Sequence, residues 1–119
     1  MAFPVQVAFR NMEPAKLLER LIRDQAEKLE RAHKQIAGCR VLVARRHRQD
    51  DAGGPLHVRV DLTVSEDAPL EIDVIDRDAY LASIEAFRLA RIRLDVRSRS
   101  KRAGERATAS AAGGTRGVI

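Results

Sequence analysis

The 119-residue sequence has a single cysteine, Cys39, so it can form no intrachain disulfide and cannot assemble a zinc cluster from thiolates. A reducing cytoplasm is the natural setting for such a chain. Aromatic residues make up 3% of the sequence and tryptophan is absent, which argues against a protein that stacks successive bases on aromatic platforms. No apolar run approaches the length of a membrane span, and Met1-Ala2-Phe3-Pro4 lacks a basic leader followed by an apolar stretch. Secretion and membrane insertion are therefore not expected. Catalysis is not expected either. His33, His47 and His57 stand at unrelated spacings, and there is no GxGxxG, P-loop, HExxH or nucleophile motif. No cofactor, metal or small-molecule substrate is implied.

What the sequence has instead is basic charge. Lys and Arg number 22 against 17 Asp and Glu, for a formal charge of +5 and a pI near 10.1. That balance favours a polyanionic partner, and with few aromatics the contact is expected to be with phosphates and overall shape. The length fits one domain.

Hydrophobic periodicity orders the chain as strand, helix, three strands, helix. Val5, Val7 and Phe9 alternate with polar or small residues as in a half-buried strand. Pro14 suits a helix start, and Leu18, Leu21, Ile22, Leu29, Ala32 and Ile36 recur at helical spacing, predicting a first helix over 15–37. A β-branched run, Val41-Leu42-Val43-Ala44, leads into Arg45-Arg46-His47-Arg48. Leu56, Val58, Val60, Leu62 and Val64 then alternate strictly, as do Leu70, Ile72 and Val74 beyond the turn at Pro69. These three strands predict an antiparallel meander. Asp76 and Asp78 precede a second helix as capping carboxylates, with Tyr80, Ile84, Phe87, Ala90, Arg91 and Leu94 expected to close the core. After Arg102 the segment 103–119 is poor in large apolar groups and is expected to be a disordered tail, leaving 1–102 as the folded domain.

Arginine density marks two places: Arg45, Arg46 and Arg48 after the second strand, and the second helix from Arg88 onward. Guanidinium groups grip phosphates through paired hydrogen bonds and counterion release. On a helical projection, however, the second group spreads around the axis.

In this order of elements the chain resembles the ribosome hibernation-promoting factor and ribosome-associated translation inhibitor family, in its short form. Arg10-Asn11-Met12-Glu13 looks like the family's turn from its first strand towards its first helix. Lys28-Leu29-Glu30-Arg31 is similar to its K-L-E-basic stretch, and Asp78-Ala79-Tyr80-Leu81-Ala82 to the D-x-Y-x-A-I signature that opens its second helix. The resemblance implies an α+β fold, β-α-β-β-β-α, with two helices on one face of a four-stranded sheet, like a double-stranded-RNA-binding domain. It also implies a cytoplasmic protein that binds small-subunit ribosomal RNA, occludes the messenger and transfer RNA channel, and uses no cofactor. By position it makes Arg10, Lys28, Arg31 and Arg91 the RNA contacts. Charge alone adds Arg20, Arg23, Arg45, Arg46, Arg48, Arg88 and Arg93.

The chain departs from the family's pattern in several places. Ala15 replaces a Ser or Thr cap, and Ser83 stands where Ile is usual, with Ile84 expected to supply the packing instead. Leu89, Ile92 and Val96 occupy positions that are often basic, where an apolar side chain cannot pair with phosphate. Together with Leu81 they form a second apolar stripe on the second helix, which suggests as an alternative a homodimer or another protein interface.

Overall fold

The computed structural model describes residues 4–45 and 54–111, with side chains through Lys101. Its elements are β1 (Val5–Arg10), α1 (Lys16–Ala32), β2 (Ile36–Arg45), β3 (Leu56–Val64), β4 (Leu70–Asp76) and α2 (Ala79–Ala111). The fold is α+β in the expected β-α-β-β-β-α order. The four strands form one sheet in the order β1-β2-β3-β4, with β1 parallel to β2 and the other pairs antiparallel. A parallel neighbour requires a crossover, which α1 supplies.

Strand alternation turns Val41, Val43, Val58, Val60 and Ile72 to one face, where each is at most 1% exposed. Both helices cover that face. α1 contributes Leu18, Ile22, Ala26 and Leu29, and α2 contributes Phe87, Ala90 and Leu94. β4 runs in the same direction as β1 and β2, and each helix returns across the sheet from such a strand. α1 and α2 therefore lie side by side pointing the same way. Among the described residues no element covers the opposite face of the sheet.

α1 ends earlier than its periodicity predicts. The His33 N–H donates to the Leu29 carbonyl at 2.9 Å and closes the helix, and Ile36 already pairs with Val64 in the sheet. In sequence Ile36 suits either element, being seven residues beyond Leu29. The ladder shifts register between Ile36 and Gly38, and this bulge lets Ile36 and Cys39 both face the core although they are three residues apart. A strict period of two cannot show such a strand start.

The core side of α2 also differs from expectation. Phe87, Ala90 and Leu94 are buried, but Tyr80, Ile84 and Arg91 are exposed, and Ala82, Ser83 and Ala86 take the inner places. Small residues on that seam let the helix backbone approach β3 and β4 closely, which leaves larger neighbours at the flanks. Ser83, not Ile84, thus fills the signature position. It is fully buried, and its hydroxyl has no hydrogen-bond partner among the described residues. Asp78 caps the helix, its Oδ1 accepting from the Tyr80 and Leu81 amides at 2.8 and 3.1 Å.

The α2 backbone continues to Ala111, so residues 103–111 lie in a helix where composition predicts disorder. Lack of large apolar groups removes a reason to pack, but an Ala-rich segment retains high helix propensity. Residues 112–119 lie outside the described residues.

Candidate nucleic-acid interface

Several arginines are held by the fold itself. Arg23 donates to Glu19 and, at 2.9 Å, to the Val5 carbonyl on the free edge of β1. On the opposite edge Arg93 reaches the Glu71 carbonyl at 3.4 Å. Arg97 donates to the Ala68 and Pro69 carbonyls at 2.6 and 3.3 Å. Arg23 and Arg93 occupy acceptors that an unpaired edge strand would otherwise offer to another chain, and Arg97 holds the loop that leads into β4. Arg23 and Arg93, both expected from charge as RNA contacts, thus have a structural use.

Arg31 and Arg88 carry local ion pairs. Arg31 meets Glu27 at 3.2 Å, and Arg88 grips both oxygens of Glu85 at 2.9 and 2.7 Å. The Arg88 hydrogen bond draws the Glu85 pKa down, and the same contact pushes the Arg88 pKa up. Exposed pairs of this kind are weak enough to be exchanged for a phosphate.

Arg20, Lys28 and Arg91 are exposed and have no hydrogen-bond or ion-pair partner among the described residues. The end of α1 meets α2 at a cleft of about 290 Å³ lined by Ala32, His33, Gln35, Asp95, Ser98 and Arg99, with His33 Nε2 at 2.9 Å from Asp95. Lys28 stands one turn before Ala32, and Arg91 one turn before Asp95. Each therefore shares a helix face with a residue of that cleft. Arg20 and Arg31 sit on the solvent side of α1. Within 79–101, α2 has six basic residues against two acidic, while α1 has five against four. The basic surface is therefore α2 and its groove with α1.

Arg10 and Arg45 lie elsewhere, at the end of the sheet where β1 and β2 finish. Arg46 and Arg48 fall outside the described residues. The expected contacts therefore do not form one patch. On the open face, Arg59 bonds Asp61 at 3.0 Å and Glu71 at 3.0 Å, and His57 Nε2 lies 2.6 Å from Asp73. Bonding to Asp61, with the fields of Asp61 and Glu71, raises the Arg59 pKa further. One arginine thus stands among three carboxylates, Asp61, Glu71 and Asp73, and the β3–β4 half of the face is acidic rather than basic. Arg40, which the sequence did not single out, is exposed and donates to Gln6 at 3.3 Å; Arg99 and Lys101, within the arginine-dense stretch from Arg88 onward, are exposed as well, and only the pairings show which cations carry uncompensated charge.

In the second apolar stripe, Leu81, Ile92 and Val96 are 57%, 43% and 48% exposed, whereas Leu89 turns inward against the core. Cys39 is buried, and burial, reinforced by Asp61, pushes its thiol up to about 12. Among the described residues no group of His, Cys, Asp and Glu is placed to hold a metal, and no helix is long and apolar enough to cross a membrane.

No protein-family model matches the chain, and no curated protein matches it in sequence. Its fold is shared with solved structures. A ribosomal subunit interface protein from Coxiella burnetii superposes with a TM-score of 0.68 at 8% identity, covering 81% of this chain and 98% of that one. The N-terminal domain of Thermus thermophilus Protein Y superposes with a TM-score of 0.62 at 13% identity, covering 78% and 94%. At such identities the likeness establishes the architecture: a four-stranded sheet with two helices on one face.

Proposed function

We propose that this protein is a cytoplasmic, non-enzymatic, ribosome-associated factor that binds small-subunit ribosomal RNA through its helix layer. By occupying the messenger and transfer RNA channel it inhibits translation. The observation that carries this reading is that Lys28 and Arg91, exposed and without a partner among the described residues, each stand one turn from a residue of the cleft between two parallel helices, within an α2 surface rich in arginine. The shared fold with a protein described as a ribosomal subunit interface protein supports it. Arg20, Lys28, Arg31, Arg88 and Arg91 are the contacts proposed on the helix layer.

The direct experiment is co-sedimentation of the full chain with purified small subunits. The five cations proposed as contacts give a slope of about −3.5 to −4.5 in log affinity against log salt, so raising salt fourfold weakens binding roughly 100- to 500-fold. Lys28→Glu with Arg91→Glu should release the protein into the supernatant at low salt. Failure of the wild type to enter the small-subunit fraction at low salt refutes the reading.

Exposure of Leu81, Ile92 and Val96 favours a second reading, a homodimer through α2. Burying the exposed half of such a side chain contributes about 1 kcal/mol. Six of them across a twofold pair give about 6 kcal/mol, against an association cost of about 4–15 kcal/mol. The stripe alone thus sustains at most a weak dimer, and light scattering at high concentration distinguishes it from a monomer.

A further inference from the structure

We propose that the groove at the end of the sheet, where Arg10, Ala44, His57 and Ile75 stand side by side, is a binding site for a nucleoside phosphate. It lies on the face opposite the helices and does not depend on the ribosomal reading.

The strand register builds the groove. Arg10 pairs with Ala44, Ala44 with His57, and His57 with Ile75, so one residue from each strand forms a row across the sheet. All four belong to the open face, because their neighbours Phe9, Val43, Leu56, Val58 and Val74 turn towards the core. Ala44 is the smallest of the row and lies between Arg10 and His57, leaving a notch flanked by two nitrogen-bearing side chains. Pro55 and Leu56 extend its wall, and Asn11 and Arg45 close its end, giving a space of about 550 Å³. Ligand-binding clefts fall in this size range.

The end wall is fixed in place. Asn11 adopts a left-handed backbone, φ 60°, and its side-chain amide donates to the Arg45 carbonyl at 3.1 Å. His57 is oriented by Asp73 through Nε2, which leaves Nδ1 as its remaining polar ring atom. Arg10 has no hydrogen-bond or ion-pair partner among the described residues. Among the described residues no carboxylate lines the groove. An anion is therefore favoured at the Arg10 end.

The other end is apolar. Ile75 is 72% exposed, and with Pro55 it offers a surface for a flat ring. Adjacent strands are about 4.8 Å apart, so Arg10 and Ile75 are separated by about 14 Å, the span of a phosphate, sugar and base laid across the sheet. Inorganic phosphate uses only one end of this site, and a nucleoside only the other. A nucleoside phosphate uses both, whether free or as a residue within single-stranded RNA.

The test is an amide NMR titration of the ¹⁵N-labelled full chain with adenosine 5′-monophosphate, adenosine, inorganic phosphate and a short oligoadenylate. Saturable shifts at Arg10, Asn11, Ala44, His57 and Ile75 with the monophosphate identify a free nucleotide as ligand; shifts there with the oligoadenylate alone identify RNA as the source. Arg10→Ala should weaken binding about tenfold, the loss of one charge-assisted hydrogen bond. Ile75→Asp, a solvent-exposed change that tests the apolar end without disturbing the core, should weaken it comparably, and Lys16→Ala should leave it unchanged. Absence of saturable shifts with every probe overturns the proposal. Phosphate acting as strongly as the nucleotide does the same, as does an equal loss in Lys16→Ala.

Discussion

Ser83→Ala should stabilise the protein. Ser83 sits in α2 with no exposed surface, and its hydroxyl finds no hydrogen-bond partner among the described residues. A buried hydroxyl left unpaired costs about 1–3 kcal/mol relative to its hydrated state in the unfolded chain. Alanine deletes that oxygen and keeps the β-carbon against the sheet. It also raises helix propensity by up to about 0.5 kcal/mol. The void left by one oxygen subtracts at most about 1 kcal/mol, judged by the cost of deleting a methylene. The net gain is about 1–2 kcal/mol. For a domain of this size each kcal/mol moves Tm by about 4–8 °C. Thermal melts followed by circular dichroism should show that rise, and urea titration should show a higher midpoint at unchanged slope. An unchanged or lower Tm refutes the reasoning, because it means that the hydroxyl is satisfied within the helix and was never a cost.

Asp78→Ala removes the acceptor of two backbone amides at the start of α2 and should cost about 0.5–2 kcal/mol in urea unfolding, with Asp78→Asn retaining most of the stability. The Cys39 thiol should resist alkylation in the native state at neutral pH and react fully in denaturant, since burial keeps it protonated. Its ordinary value of 9.0 applies to the unfolded chain and about 12 to the folded one, so the native state binds the proton more tightly. Its contribution to stability is complete below pH 9 and falls as pH rises from 9 towards 12; Cys39→Ala should flatten that decline in denaturation measured against pH. Ile92→Lys, on the exposed side of α2, should alter stability by no more than about 0.5 kcal/mol. Leu94→Ala, two positions along and fully buried, should cost about 2–5 kcal/mol in the same assay.

The sequence by itself determined the order of elements, the face of each strand and the fold class. Strict alternation in Leu56 to Val64 has one solution, a strand with a single buried side, and Asp78 ahead of a long periodic segment has one ready use, as a cap. Helical periodicity decided less. The apolar residues of α2 are spread over more than half of its circumference, so several core sides suit it, and only packing on β3 and β4 selected Ala82, Ser83 and Ala86 over Tyr80 and Ile84. Ile36 likewise satisfied two periods until pairing with Val64 and a bulge assigned it to the sheet. The candidate site depended most on tertiary structure. Charge in sequence is a property of single residues, whereas availability to a ligand depends on partners distant along the chain. Arg23 and Arg93 bind edge-strand carbonyls 18 and 22 residues away, and Arg59 and His57 meet carboxylates on β4. Only after those pairings are made do Lys28 and Arg91 stand out on one face, and Arg10 on the other.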